Sequence, residues 1–171
     1  MRTKLAVLGV VAALVAGCAG KMPQTAEQFR QMAPGAFMVQ VQSFEVKRSP
    51  REIGETFRRR APECLNMTIR TTSSAPGSYQ VIDTAYKATV IAGSDKAELH
   101  LQQKHLKGVV AVYKEPEQGH YLFVVDATPA GARATKVQII GPSRGYDVVV
   151  RAFKAWADGS STACPDMTKI G

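Results

Sequence analysis

The spacing of hydrophobic residues predicts a β-strand at the start of the main body of the chain. Every second residue in 37–41 is hydrophobic, and polar or flexible side chains lie between them, which is typical of a half-buried strand. The phase then shifts to Phe44 and Val46. Because a shift by one residue moves side chains to the other face of a strand, we predict a β-bulge near Ser43.

The next segment has the sequence signature of a helix start. Ser49 is suited to the N-cap, Pro50 to the first helical position and Glu52 to the capping box. Hydrophobic residues follow at helical spacing: Ile53, Phe57, Ala61 and Cys64. Proline lacks the N–H that a helix needs, so we expect Pro62 to end this helix or to loosen its last turn.

The rest of the chain alternates between strand-like segments and turn sequences. Hydrophobic segments rich in Val, Ile, Thr and aromatic residues predict strands at Asn66–Thr72, Tyr79–Ala92, Ala97–Leu106, His120–Ala127 and Ala132–Ile140. A last amphipathic helix is predicted from Tyr146, Val149, Val150, Phe153 and Ala157, and Asp158-Gly159 ends it.

These elements predict an α+β fold. Consecutive strands with short turns form an antiparallel meander, and one face of such a sheet must be covered. The two amphipathic helices are the available cover. We therefore expect a curved antiparallel sheet of about five to seven strands. It would pack against the C-terminal amphipathic helix and a shorter helix after the first strand.

The element order resembles that of helix-grip domains. In that class, which includes lipid-transfer domains related to steroidogenic and pollen-allergen proteins, a sheet wraps around a terminal helix. The resemblance rests on the order of strand, helix, several strands and helix, and it implies a fold, since one fold can host many functions.

The N-terminus has the pattern of an export signal. Arg2 and Lys4 precede an uncharged segment, 5–16, which is too short to span a bilayer. Leu14–Cys18 then resembles the lipobox of bacterial lipoproteins. The alternative from the residues alone is an ordinary secretory signal that is cut near Ala16 and leaves a free thiol at Cys18.

The lipobox resemblance implies a membrane anchor. In that family the cysteine becomes the first residue of the mature chain and carries acyl chains, and two or more chains anchor stably. Ala19, by resemblance to the sorting of enterobacterial lipoproteins, implies the outer membrane. We therefore predict a signal peptide at 1–17, a lipidated tether at 18–35 with a short helix capped by Thr25, and a single α+β domain at 36–171.

Export changes what the other cysteines imply. Cys64 and Cys164 would lie in an oxidising compartment, where two remaining cysteines can pair in one way. We predict a disulfide between them, and the alternative is two unpaired thiols.

The net charge is +8, and the densest basic segment contains Arg58, Arg59 and Arg60. These side chains are candidates for contact with anionic envelope surfaces such as phospholipid headgroups or wall polymers. The alternative is a solvated helix face, since Glu52, Glu55 and Glu63 share the helix. Export and the lack of a stacking-aromatic motif argue against nucleic acid as a partner.

Candidate catalytic chemistry is sparse. His100 and His105 lie five positions apart on a predicted strand and should face opposite sides, whereas His120 could lie beside one of them across strands. No phosphate loop, nucleophile elbow or metal-ligand spacing is present in the sequence. We therefore predict no metal, no cofactor and no enzymatic activity.

Large aromatic residues cluster in the predicted sheet and last helix. They are Tyr86, Tyr121, Phe123, Tyr146, Phe153 and Trp156. They would either fill the core or line a pocket for an apolar ligand.

The sequence thus predicts a periplasmic lipoprotein held at the outer membrane by Cys18, with a non-catalytic binding or scaffolding role. Its partners would be the membrane, through the lipid anchor, and an envelope protein or an anionic polymer. The alternatives are a carrier of an apolar or lipid ligand in a cavity between sheet and helix, and a hydrolase.

Overall fold

A computed structural model describes residues 22–75, 78–107, 115–131 and 133–170 of the chain. The predicted signal peptide at 1–17, Cys18 and Ala19 lie outside the described residues. Among the described residues, no helix has the length and hydrophobicity needed to cross a membrane. The elements are α1 (Ala26–Met32), β1 (Val39–Val46), α2 (Pro50–Leu65), β2 (Met67–Ala75), β3 (Ser78–Ala92), β4 (Ala97–Lys107), β5 (His120–Pro129), β6 (Thr135–Pro142) and α3 (Asp147–Asp158), followed by a short 3-10 turn at Met167–Lys169.

The strands form one six-stranded antiparallel sheet in the order β1-β6-β5-β4-β3-β2. The first and last strands are therefore neighbours, and the other strands follow as a meander. This confirms the predicted α+β class, the curved antiparallel sheet and the C-terminal helix.

The helix after the first strand differs from the prediction in length. At 16 residues, α2 is longer than the 12-residue α3, not shorter. Its start is as predicted, because Ser49 and Glu52 form a complete capping box. Pro62 does not end the helix, which continues to Leu65. Cys64 and Leu65 are both buried in the core, and this packing favours the last turn.

Strand β1 contains no bulge at Ser43, since its pairing with β6 is continuous from Val39 to Val46. Val39 packs on one face of the sheet, whereas Phe44 and Val46 pack on the other. The predicted bulge is wrong because it assumed one covered face, and both faces of this sheet are partly covered.

The main core lies between one face of the sheet and helices α2 and α3, and we call this face the inner face. Its largest fully buried side chains are Phe57, Phe123, Phe153 and Trp156. Phe153 contacts both Phe123 and Trp156 edge to face, with ring centroids 5.5 and 5.9 Å apart. The interior between the sheet and α3 is thus occupied by interlocking aromatic rings.

Two contacts fix the helices to each other. Cys64, near the end of α2, and Cys164, after α3, form a disulfide with their Cα atoms 5.1 Å apart. This is the pair that the sequence analysis predicts. Arg48 lies just before α2 and donates to the carbonyl oxygens of Trp156 and Ala157, at 2.8 and 3.1 Å. Because these carbonyls end α3, Arg48 satisfies acceptors that the helix leaves open.

Candidate functional site

Helix α1 docks on the opposite face of the sheet, which we call the outer face. Thr25 caps it as predicted by accepting a hydrogen bond from the backbone N–H of Gln28 at 3.1 Å. Phe29 and Ala33 pack on Val124 and Ile140 in a second, smaller hydrophobic cluster. The segment predicted as a tether thus contributes a helix that covers part of the sheet.

An apolar groove of about 480 Å³ lies beside this helix. Buried Phe29 and Ala33 line it together with the exposed side chains of Met32 and Phe37, and Tyr121 contributes from β5. The volume falls within the range of small-molecule sites. The groove is therefore a candidate binding site, and it lies outside the aromatic core.

Arg30 connects α1 to a cluster of charged residues on the outer face. Its Nε and Nη2 donate to the two carboxylate oxygens of Asp126, at 2.8 and 2.7 Å, and Nη2 also donates to Glu98. Glu98 in turn contacts Lys96 Nζ at 2.9 Å and His100 Nε2 at 2.9 Å. A two-bond guanidinium–carboxylate pair fixes geometry as well as charge, so it sets the position of α1 on the sheet.

The charges of this cluster stabilise one another. The hydrogen bond with Asp126 is the main reason that the pKa of Arg30 is raised, although burial opposes it. Burial would raise the pKa of Glu98, but hydrogen bonds from Lys96, Arg30 and His100 outweigh it and hold the pKa at about 2. Arg30 and Glu98 thus stay ionised over the physiological range, and the pairs that they form act as a structural clamp.

A second polar cluster closes one end of the core. Tyr146 donates its hydroxyl to Gln103 Oε1 at 3.4 Å, and Gln103 Nε2 donates to His120 Nε2 at 2.7 Å. His120 Nδ1 then donates to Glu115 at 3.1 Å, and Glu115 also accepts the backbone N–H of His105 at 3.2 Å. We call this series, from Tyr146 to Glu115, the Tyr146–Glu115 chain.

Burial favours the neutral form of His120. Burial is the largest cause and lowers the pKa of His120, whereas the hydrogen bond to Glu115 opposes it. Neutral imidazole has one donor and one acceptor, and these match Glu115 and the Gln103 amide. Gln103 and Glu115 thus engage both ring nitrogens of His120.

The three histidines do not form one site. His105 and His120 stack with ring centroids 5.8 Å apart, which the sequence analysis allowed. His100 lies on the outer face, where it contacts Glu98 and the edge of Tyr121. Within the part of the chain that the structure describes, no three His, Cys, Asp or Glu side chains are placed to hold a metal ion.

The three consecutive arginines of α2 have different surroundings. Arg58 donates to the carbonyl of Ala92 at 3.2 Å, and Arg60 pairs with Glu63 at 2.6 Å. Arg59 is exposed. Arg58 is exposed as well, and Arg60 is half-buried. Contact of these side chains with an anionic surface stays a prediction.

Five of the six candidate aromatic residues belong to the main core or pack against it. These five are Tyr86, Phe123, Tyr146, Phe153 and Trp156. Tyr121 lies on the outer face against Phe29, and its ring centroid is 6.0 Å from that of Phe29. Tyr121 is thus the member of this set that lines the apolar groove.

The sequence analysis missed the clamp between α1 and the sheet. A local signal for it exists, because Asp126 interrupts the hydrophobic run Leu122–Ala127 at the centre of the sheet. A buried carboxylate needs a cationic partner. The identity of that partner, Arg30, depends on tertiary packing alone.

Comparisons with known proteins identify no family. No family model and no curated protein matches the chain. A solved structure, the di-domain ARO/CYC StfQ from the steffimycin biosynthetic pathway, has a weak fold-level resemblance, with a TM-score of 0.27 and 7% identity. The match covers 79% of this chain and 45% of StfQ, so this chain spans less than half of that protein. A similarity of this size carries no argument about function.

Proposed function

We propose that this protein is a lipid-anchored lipoprotein of the outer membrane, facing the periplasm, with a non-catalytic binding or scaffolding role. The anchor is supported by the lipobox at Leu14–Cys18. An exported location is supported by the Cys64–Cys164 disulfide, since such bonds persist in oxidising compartments.

The observation that carries the binding role is the uncovered apolar surface around α1. Phe37 is 92% exposed, and Met32 and Met38 are 47% and 51% exposed. Contiguous exposed hydrophobic side chains mark sites of interaction with partners or membranes. The groove beside α1 continues this surface, since Met32 and Phe37 belong to both.

Mass spectrometry of the full protein, purified from its membrane in mild detergent, tests the anchor. We expect a mature chain that starts at Cys18 and carries the mass of acyl groups. A Cys18→Ser variant is the matched control, and it should lack that mass and leave the membrane fraction. A full-length chain found in the soluble fraction with its leader intact contradicts the proposal.

A second candidate function is the carriage of an apolar or lipid ligand. The groove beside α1 favours it, because its lining is almost entirely apolar. A ligand in this groove would lie on the outer face of the sheet, and not between the sheet and the C-terminal helix. Native mass spectrometry of the same preparation should then show a bound lipid that denaturation releases, and a preparation free of such a ligand contradicts this function.

A further inference from the structure

The loop between α1 and β1 exposes large hydrophobic side chains at one end of the sheet. Phe37 and Met38 lie in this loop, and Met32 ends the preceding helix. We call Met32, Phe37 and Met38 the loop patch. Exposure of a phenylalanine side chain to water is unfavourable, because burial of apolar surface stabilises a protein.

The loop patch is held in place and does not collapse onto the sheet. The backbone N–H of Ala36 donates to the carbonyl of Ala33 at 2.9 Å, and that of Ser143 donates to the carbonyl of Met38 at 2.9 Å. Met38 has a φ of 60°, which is costly for a residue with a side chain. Backbone strain of this kind persists where surrounding contacts impose it, and it clusters at functional positions.

The chain segment that carries the loop patch is uncharged, and the exposed Arg144 follows Ser143, which is bonded to Met38. Residues 31–44 contain no Asp, Glu, Lys or Arg, although 21% of the whole chain is charged. The nearest preceding charge, Arg30, is bound to Asp126 and Glu98 on the sheet. A segment with exposed aromatic and methionine side chains and without charged residues of its own can enter the interfacial layer of a bilayer with little desolvation cost.

The loop patch lies close in the sequence to Cys18, so a lipid on Cys18 would hold the patch near the membrane. Met22, the first described residue, lines the same groove as Met32 and Phe37. Cys18 precedes Met22 by four positions, and four extended residues span at most about 14 Å. A lipid on Cys18 therefore keeps this end of the domain, and not the opposite edge at β2, next to the membrane.

We propose that the loop patch is a second membrane contact, in which Phe37 and its neighbours insert into the interfacial layer of the phospholipid bilayer. This inference rests on the proposed lipid anchor at Cys18. The contact would orient the domain, with the open groove beside α1 facing the lipid surface. Insertion to a depth of about 5–10 Å is typical of such interfacial contacts.

Fluorescence quenching tests the contact on the full acylated protein. A Phe37→Trp variant is reconstituted in vesicles of phosphatidylethanolamine and phosphatidylglycerol, with or without phosphatidylcholine brominated near the headgroup end of its acyl chains. The wild-type protein reports the background, since its one tryptophan, Trp156, is fully buried. A Tyr79→Trp variant is the matched control, because Tyr79 is 72% exposed on β3, at the far side of the sheet from β1.

We expect the F37W protein to show a blue shift of emission in vesicles and a loss of emission with brominated lipid. The Y79W and wild-type proteins should show neither change. An acylated F37W protein that behaves like Y79W overturns the membrane contact and leaves the anchor intact. A chain without acyl groups by mass overturns the proposed function itself, and the membrane contact with it.

Two other results also overturn the membrane contact. A blue shift that increases with protein concentration and needs no lipid means that a second copy of the chain covers the loop patch. A blue shift in vesicles without quenching by brominated lipid means that the chain's own acyl group covers it.

Discussion

Arg30 and Asp126 form a two-bond ion pair although 96 positions separate them in the sequence. The pair joins the short helix α1 to the central strand β5. A seven-residue helix is too short to be stable alone, so its place on the sheet depends on this pair and on Phe29.

Replacement of Arg30 by alanine should therefore destabilise the protein. The change leaves the buried carboxylate of Asp126 without its two-bond partner and removes one of the two cations that pair with half-buried Glu98. We expect the free energy of unfolding to fall by about 2–4 kcal/mol, somewhat less than for a fully buried pair, since part of the arginine side chain is exposed. Urea denaturation measures the change, and limited proteolysis should show earlier cleavage near α1.

Arg51→Ala is the matched control for this prediction. Arg51 pairs with Glu55 on the surface of α2, and 76% of its side chain is exposed. Its removal should cost about 0.3–0.5 kcal/mol. Equal effects of the two replacements contradict a structural role for the Arg30–Asp126 pair.

Acidification should weaken the fold in two separate pH ranges. The pKa of His120 is lowered in the folded state, so its contribution is complete above about pH 6.5 and is lost as the pH falls through that value toward its folded pKa. The pKa of Glu98 is also lowered, to about 2, so its contribution is complete above its ordinary 4.5 and is lost between 4.5 and about 2.

Single variants separate the two ranges when the free energy of unfolding is measured against pH. His120→Gln should abolish the fall that starts near neutral pH and keep the one at acid pH. Glu98→Gln should keep the near-neutral fall and reduce the one at acid pH, to which Glu52 and Asp166 also contribute because their pKa values are lowered too. A His120→Gln protein that keeps the near-neutral fall would mean that another group causes it.

Reduction of the disulfide should lower stability strongly. The Cys64–Cys164 bond closes a loop of 100 residues, and the loop-entropy model gives about 4.7 kcal/mol for that length. A thermal melt with and without a reducing agent measures the effect. The Cys64→Ala/Cys164→Ala double variant should melt like the reduced wild type and should not respond to the reducing agent. An unchanged melting temperature would mean that the bond adds nothing to the native state.

Gly141 should not tolerate a side chain. A Cβ at this position in β6 would lie under 3.0 Å from three ring atoms of Phe123, which is fully buried in the core. We expect Gly141→Ala to cost about 1–3 kcal/mol as the packing shifts. The control is Gly93→Ala, whose Cβ would meet its nearest atom, the carbonyl oxygen of Lys96, at an ordinary 3.6 Å. Equal melting temperatures for the two variants contradict this packing.

The Met38→Gly variant should be more stable than the wild-type protein. Relief of the left-handed backbone at φ 60° outweighs the greater chain entropy of glycine, with a net gain of roughly 0.5–1 kcal/mol. Ala36→Gly in the same loop has no positive φ to relieve and should lose stability instead. Differential scanning calorimetry compares the two, and a loss of stability in both variants contradicts strain at Met38.

The elements of this fold were predictable where their signals are local. Ser49, Pro50 and Glu52 start α2 through contacts within one turn, and strand alternation depends only on near neighbours. The end of α2 was not predictable, because burial of Cys64 and Leu65 keeps the helix beyond Pro62.

Features that depend on residues far apart in the chain could not be predicted from the sequence. The extra residue of β5, Leu122, lies opposite the register shift after Leu101 in β4, so that Leu122 and Phe123 both reach the core. In the sequence this bulge is hidden in a continuous hydrophobic run. The groove beside α1 was equally hidden, because it requires that Arg30 bring the helix onto the sheet.

The docking of α1 on the sheet shortens the segment between the sheet and Cys18. The described part of the chain starts at Met22, and three residues separate Met22 from Cys18. If Cys18 bears the lipid proposed above, the linker between the lipid and the domain is very short. The domain then cannot reach targets that lie far from the membrane. Its encounters are then confined to molecules that diffuse within, or lie directly on, the same leaflet.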